Sequence, residues 1–196
     1  IIKEDITMPQ DLILSIDNGT QSLRAILFDR HGEIQGKFQR HYPAYIQPEP
    51  GHCIQDANLY WQALCESCQG LWQQGIDPKQ IKAVTVTSQR GSLVPVDSNG
   101  EPIQDAVLWT DQRKASVLQP MPFLWQSAFV MAGVAGTVSN FRRNALCNWV
   151  AQHHPERIDA IHKWLLLSGF LNYKLTGLFH DSNASQVGYL PFNFRK

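Results

Sequence analysis

The sequence predicts an α/β fold built on a mixed sheet. Three observations carry that reading. Two apolar runs, residues 12–16 and 23–28, flank a tight turn, and a weakly alternating run follows over 33–41. A helical pattern of apolar residues begins just after Asp56. A β-branched apolar run, residues 81–87, comes next.

Each element has a local cause. Residues 12–16 and 23–28 are apolar enough for strands, and "DRHG", Asp29 to Gly32, is a turn with Asp first and Gly last. With 33–41 they make an antiparallel meander of three strands. "YPAYIQPEPGH" has three prolines and reads as a loop. Asp56 offers a carboxylate N-cap to a helix that ends near Gly75. Trp61, Leu64, Cys65, Cys68, Leu71 and Trp72 share one face of that helix and are expected in the core. Residues 81–87 then form a buried strand, and a helical crossover makes it parallel to a strand of the same sheet.

Beyond it, residues 93–96 and 106–109 are short extended pieces around "DSNG". Pro95 assigns the first of these an edge or irregular position. Residues 112–152 read as largely helical, broken at "QPMP" and "GVAG". Residues 164–167 read as a strand and 169–175 as a short helix stopped by Gly177. The order β-β-β-α-β is the beginning of the ribonuclease-H-like fold, which actin-like ATPase domains use.

Composition narrows the function. The chain has 196 residues, 43% of them hydrophobic and 17% charged, which suits a globular protein with a real core. Lys plus Arg and Asp plus Glu both total 17, and no basic block stands out. A nucleic-acid or acidic-membrane partner is therefore not indicated. No apolar run is long enough to span a bilayer, and "IIKEDITMPQDL" lacks the apolar region of a signal peptide. A cytoplasmic location is expected. Residue 1 is Ile, Met8 precedes the first strand, and "LPFNFRK" closes no obvious element, so the sequence reads as an excerpt of a longer protein. Cys65 and Cys68 form a lone CxxC with no second pair to complete a zinc site, and core packing is the better reading. The seven histidines show no HExxH spacing.

Four segments could carry chemistry. The turn Asp17-Asn18-Gly19-Thr20-Gln21-Ser22, with Arg24 behind it, has a glycine that admits positive φ and close ligand approach. Its amides could form an anion-binding nest, and Asp17 could hold Mg²⁺ directly or through water. The residues alone equally allow a plain hairpin in which Asp17 and Thr20 satisfy their own turn. Neither GxxxxGKS/T nor GxGxxG is present. "SQRGS" follows the strand at 81–87, at the end where α/β sheets place ligand contacts. Gln89 and Arg90 supply donors there, although a solvated loop fits as well. In "WTDQR", Trp109 offers an apolar face to a sugar, Asp111 can accept from hydroxyls, and Arg113 could fix Asp111. A helix start capped by Asp111 is the rival reading. In "LTGLFHDSNASQ", Asp181 is either catalytic or part of a turn that caps itself.

Together these blocks resemble the FGGY family of carbohydrate kinases. "DNGTQSLRAILFD" is similar to its first phosphate motif, and "PEPGHCIQDANLYWQAL" to its "PGWxEQDPxxxW" segment through Gly51, Gln55, Asp56 and Trp61. "VTSQRGSLVPVDSNGEPIQDAVLWTDQR" resembles the strands that line the sugar pocket, and "WLLLSGFLNYKLTGLFHDSNAS" the segment "DYLxYxLTGxxxTDxSNAS". The resemblance implies that residues 1–196 are the N-terminal, actin-like domain of a two-domain kinase. It implies transfer of the γ-phosphoryl group of MgATP to a hydroxyl of a sugar or polyol. Asp17, Asn18, Gly19, Thr20, Gln21, Ser22 and Arg24 would face the ATP phosphates, with Mg²⁺ at Asp17. Gln89, Arg90, Trp109 and Asp111 would face the acceptor.

The departures are informative. Gly91 stands where glycerol kinases carry Glu, which removes a hydroxyl contact and argues against glycerol. Gln89-Arg90 also differs from the Met-His of xylulokinases. Gln21 replaces a common threonine and Cys53 a usual tryptophan, and "NFRRNALCNW" around Phe141 matches only loosely. The family's "GDQ"-like aspartate, its usual base, has no counterpart here. The resemblance implies that this base lies beyond Lys196, in a C-terminal domain that also holds most adenine and ribose contacts. No catalytic residue is therefore assigned within the sequence, and this chain alone is expected to be inactive. The rival classes are a non-catalytic actin-like scaffold that binds nucleotide and a sugar-binding module. Homo-oligomerisation is left open.

Overall fold

A computed structural model describes residues 11–182. Strands β1 (Leu12–Asn18), β2 (Ser22–Phe28) and β3 (Ile34–His41) form the expected meander. After β4 (Ile54–Gln55) comes helix α1 (Ala57–Trp72), then β5 (Ile81–Ser88), which pairs parallel to β1. The first sheet has the order β3-β2-β1-β5. Strands β6 (Leu93–Val96) and β7 (Ala106–Val107) precede the helices α2 (Phe123–Met131), α3 (Ala135–Asn144), α4 (Leu146–His153) and α5 (Pro155–Ile158). Strand β8 (Lys163–Leu166) and helix α6 (Leu167–Thr176) complete the described elements. The second sheet runs β4-β7-β6-β8.

The local signals act as the chemistry predicts. The Asp56 carboxylate accepts from the Asn58 N–H at 2.9 Å, capping α1. Gly177, at φ +73°, ends α6. In the β2–β3 turn, burial opposes ionisation of Asp29, but hydrogen bonds from the Glu33 and His31 amides and from Gln35 outweigh it. They hold the carboxyl below its ordinary value.

Alternate residues of β1 and β2, Leu14, Ile16, Leu23, Ala25 and Leu27, face α1 and α6 across the main core, where Tyr60, Leu64, Leu71, Phe170 and Leu171 meet them. A large apolar side chain stabilises by roughly 1.5–3 kcal/mol when fully buried. A second core joins Leu93, Val107 and Leu166 of the second sheet to Leu146 and Val150 of α4.

Four expectations are corrected, two of them only in part. Residues 81–87 do not form a buried strand: β5 is largely exposed, because α1 packs on β2 and β3 and leaves mainly α6 to reach β5. Of the two positions expected for Pro95, an edge or an irregular one, the structure shows the second. Pro95 sits opposite Trp164 in the buried strand β6, between β7 and β8. Regular pairing to β7 is confined to Leu93 and Val107, so no ladder position on that side calls for an N–H from Pro95. The Pro-rich loop forms a bridge from Ile46 to Ile54 of β4, which its turn-forming composition concealed. Finally, helix begins only at Phe123, so residues 112–122 are irregular.

The buried face of α1 is rotated from the predicted one. It runs through Ala57, Tyr60, Ala63, Leu64, Ser67, Gly70 and Leu71, with Trp61, Cys68 and Trp72 packed beside it. All four cysteines are free, and burial pushes the Cys68 thiol up to about 11, with Cys65 beside it adding to the shift. That suits packing and not redox chemistry.

Candidate functional site

The Asp17–Ser22 turn lies at the end of β1, where its antiparallel partner β2 begins. The Gly19 N–H donates to the Ser22 carbonyl at 3.0 Å and closes it. Gly19 does not take positive φ. A side chain there would meet only the Ser22 carbonyl, at 3.4 Å. The glycine is therefore not required by the turn, and what it leaves is open space above the backbone.

The turn's side chains divide by face. Asp17 points to the solvent side of the sheet and pairs with Arg24 at 2.7 Å, both side chains being nearly half exposed. Asn18 points the other way and is wholly buried. The Tyr42 hydroxyl donates to its carbonyl oxygen, and its amide nitrogen has no partner. Burial raises the Tyr42 hydroxyl well above its ordinary value, with nearby Tyr60 adding to the effect, so it stays a neutral donor. The Ser22 hydroxyl accepts from Gln39 at 2.8 Å, and the Gln21 carbonyl accepts from the Tyr42 N–H. Thr20 remains nearer the surface, where its hydroxyl accepts from the Trp109 indole N–H at 3.3 Å.

That last contact joins the turn to the second sheet. Beside Trp109 lies a cavity of about 320 Å³, lined among others by Gly91, Asp111, Arg113, Asn140, Phe141 and Asn144. A smaller cavity of about 220 Å³ lies at the C-terminal end of β5, lined by Thr87, Ser88, Gln89, Arg90 and Ser168 among others. The predicted acceptor residues are thus split. Trp109 and Asp111 share the larger cavity, whereas Gln89 and Arg90 line the smaller one. Gln89 donates from its side chain to the Tyr60 hydroxyl at 3.4 Å, and its amide oxygen is buried without a partner. Burial pushes the Tyr60 hydroxyl up to about 12, against the smaller opposing effect of that bond.

Asp111 is fully engaged. It accepts from the Cys53 amide at 2.7 Å, from the Arg113 amide at 3.0 Å, and from the Arg113 guanidinium at 2.8 Å on each oxygen. The Arg113 and Asp111 side chains are only 10% and 4% exposed. The Arg113 guanidinium also lies 4.7 Å from the centre of the Trp149 ring. This buried, bidentate pair ties the "WTDQR" segment to the chain just before β4.

The sequence reading missed Asn140, Phe141 and Asn144. A signal existed: Asn140 and Asn144 are four apart on α3 and share a face, and Asn144 donates to the Asn140 carbonyl at 2.8 Å. Asp181 accepts from the Ser168 hydroxyl of α6 at 2.7 Å and from the Ser182 amide at 2.7 Å, so it is tied to α6 as well as to its own turn. The residues after Ser182 lie outside the described residues. They include the rest of "SNAS" and Lys196, the residue beyond which the catalytic base is expected.

Among the described residues no cluster of three or more His, Cys, Asp or Glu could hold a metal by itself. The single carboxylate of Asp17 suits an ion held mostly by phosphate oxygens and water. No helix among them is long and apolar enough to cross a membrane.

A three-strand meander, a crossover helix, a parallel strand and a tight turn after β1 define an α/β domain of the actin-like ATPase fold. Residues 12–196 match the N-terminal domain of the FGGY family of carbohydrate kinases, and the chain belongs to that family. It is 33% identical over 189 residues to a glycerol kinase of Janthinobacterium sp. (strain Marseille), covering 92% of this chain and 37% of the relative. It is 32% identical over 193 residues to a glycerol kinase of Thermococcus onnurineus (strain NA1), covering 94% of this chain and 38% of the relative. The chain thus spans less than two-fifths of these relatives' length. Its fold resembles a ligand-bound xylulose kinase from Lactobacillus acidophilus, with TM-score 0.66 and 23% identity over 86% of this chain and 34% of the other. It also resembles the Plasmodium falciparum glycerol kinase with ADP, with TM-score 0.61 and 18% identity over 86% of this chain and 35% of the other. At these identities the structural likeness speaks for the fold alone.

Proposed function

We propose that this chain is the N-terminal domain of a two-domain, cytoplasmic kinase that transfers the γ-phosphoryl group of MgATP to a hydroxyl of a sugar or polyol. The observation that carries this reading is the Trp109–Thr20 contact, which sets the wall of a polar cavity against the turn where phosphate would sit. Phosphoryl transfer needs little covalent chemistry from the protein. It needs two substrates held in line and the developing charge neutralised.

In this reading the turn Asp17, Asn18, Gly19, Thr20, Gln21 and Ser22 presents backbone amides to the ATP phosphates, with Arg24 beside it. Asn18 contributes through its backbone, since its side chain is inside. Asp17 holds Mg²⁺ directly or through water, and the ion supplies charge neutralisation on the phosphates. The indole face of Trp109 takes the C–H side of the acceptor. The amides of Asn140 and Asn144 are suited to its hydroxyls. Asp111 acts by fixing Arg113 and the cavity wall, because its own acceptor sites are already filled. Gln89 and Arg90 serve from the adjoining cavity; Arg90 makes no hydrogen bond or ion pair among the described residues and is free to meet a ligand. The catalytic base lies in the second domain, beyond Lys196.

A second reading, a non-catalytic nucleotide-binding scaffold, draws on the fact that Asp17 and Asp111 are both already paired. Saturation-transfer NMR on the chain separates the two. A panel of C3–C5 polyols, pentuloses and hexuloses is added in turn to wild type and to Trp109→Ala. One class of acceptor is expected to receive saturation at its C–H protons, and the variant to lose that signal. Absence of signal from every acceptor, or an unchanged signal in the variant, would count against the acceptor cavity.

A further inference from the structure

Four side chains from four separate segments meet beneath the Asp17–Ser22 turn. Asn18 ends β1, Tyr42 follows β3, Tyr60 lies near the start of α1, and Gln89 follows β5. Their contacts close into a ring. The Tyr42 hydroxyl donates to the Asn18 side-chain carbonyl. The Tyr42 and Tyr60 rings meet edge to face, with centroids 5.2 Å apart and planes at 83°. The Tyr60 hydroxyl accepts from the Gln89 side chain at 3.4 Å, and the Gln89 N–H donates to the Asn18 backbone carbonyl at 2.9 Å. The Tyr42 N–H adds a direct tie to the turn, donating to the Gln21 carbonyl at 2.9 Å.

This arrangement costs stability. Asn18 and Tyr60 are wholly buried. The Asn18 amide nitrogen and the Gln89 amide oxygen are buried without a partner among the described residues. Leaving a buried polar group unpaired costs more than an ordinary hydrogen bond contributes. Apolar side chains of similar size would fill the same space without that loss. Such departures from full pairing are expected where position matters more than stability.

The two ends of the ring show which positions matter. Asn18 is joined directly to Gly19 of the turn, and Gln89 to Arg90, with which it lines the smaller cavity. Neither tyrosine lines that cavity or the one beside Trp109. We propose that Tyr42 and Tyr60 are positioning residues. Acting through Asn18 and Gln89, they fix the turn and the Gln89–Arg90 loop at one separation, so that phosphate and acceptor are held in line. The proposal rests on the function proposed above, which says what the turn and the loop hold. Transfer between two bound substrates is sensitive to such spacing, since a misplacement of about 1 Å can cost roughly 100-fold in rate.

Acceptor-dependent ADP release by the two-domain protein tests this over the polyol and ketose panel. Wild type is compared with Tyr42→Phe, Tyr60→Phe, their double variant and the control Tyr173→Phe. Each substitution removes one hydroxyl and keeps the ring, and circular dichroism checks the fold. Tyr173 donates to the Asn99 carbonyl, outside the ring of contacts. Tyr42→Phe and Tyr60→Phe are each expected to lower kcat about 10-fold, with the acceptor KM within about twofold of wild type. The double variant should fall by about the same 10-fold, because either cut opens the same ring. Tyr173→Phe should leave kcat and KM unchanged. Tyrosines that serve folding alone would lower the unfolding temperature and leave kcat and KM untouched, which would overturn the proposal. So would a rise in KM at constant kcat, losses that multiply to about 100-fold in the double variant, or an equal loss in Tyr173→Phe. A wild type inactive with every acceptor would refute the proposed function and the positioning role with it, so the wild type alone tells the two failures apart.

Discussion

Asp111 and Arg113 show how residue type and residue role separate. The sequence placed Asp111 toward an acceptor and offered Arg113 as its brace. In the fold the brace dominates, because both groups are buried and each carboxylate oxygen already accepts from the guanidinium. Removing the charge of one partner leaves the other buried and unpaired, which costs about 3–5 kcal/mol. Asp111→Asn is therefore expected to lower unfolding stability by an amount in that range, read from urea denaturation followed by fluorescence. A change below about 1 kcal/mol would show that water replaces the lost partner. Pattern could propose this pair, since the residues are two apart in "WTDQR". It could not foresee the Cys53 amide, 58 positions upstream, that completes the carboxylate's shell. For the same reason the motif treated Asn18 as one of a row of phosphate contacts. Strand alternation turns it inward, beneath Tyr42.

At the scale of elements, apolar periodicity located α1 but misjudged its buried face. The pattern traced Trp61, Leu64, Cys65, Cys68, Leu71 and Trp72; Leu64 and Leu71 are buried as expected, whereas Trp61, Cys68 and Trp72 pack at the margin of the buried face. The sheet instead selects the small residues Ala63, Ser67 and Gly70, which let the helix approach β2 and β3. Gly70 is the tightest point of that approach, since a Cβ there would lie 2.3 Å from the Phe38 ring. Gly70→Ala gains helix propensity of about 1 kcal/mol. It must also push Phe38 aside, and overpacking of this kind costs roughly 1–3 kcal/mol. The expected result in thermal or urea unfolding is a net loss of stability, with the loss relieved by adding Phe38→Leu. A Gly70→Ala protein more stable than wild type would mean that Phe38 moves freely. The meander and the crossover were legible because each step carries its own local signal: alternation, the Asp29 turn and the Asp56 cap. Strand β4 was not, because two residues held by long-range pairing leave no such signal.

At the scale of the molecule, β5 has the β-branched composition of an interior strand and the exposure of an outer one. Its sequence was read as buried because composition reports what a strand is suited to, not what covers it. The chain matches one domain of a family in which the two glycerol kinases named above are more than twice as long. The proposed site has the same partial character. It offers a phosphate turn and an acceptor cavity, and among the described residues the carboxylates beside them, Asp17 and Asp111, are both held by arginines. In the proposed function the work is divided between this domain and a second one that supplies the base. Acceptor-dependent ADP release tests that division most directly, measured over the polyol and ketose panel for the two-domain protein, its Asp17→Ala variant and the 196-residue chain. The two-domain protein is predicted to release ADP only with one class of acceptor. A fall of at least about 100-fold is predicted in Asp17→Ala, and no turnover by the chain alone. Turnover by the isolated chain, acceptor-independent hydrolysis, or near-normal release in Asp17→Ala would contradict the division.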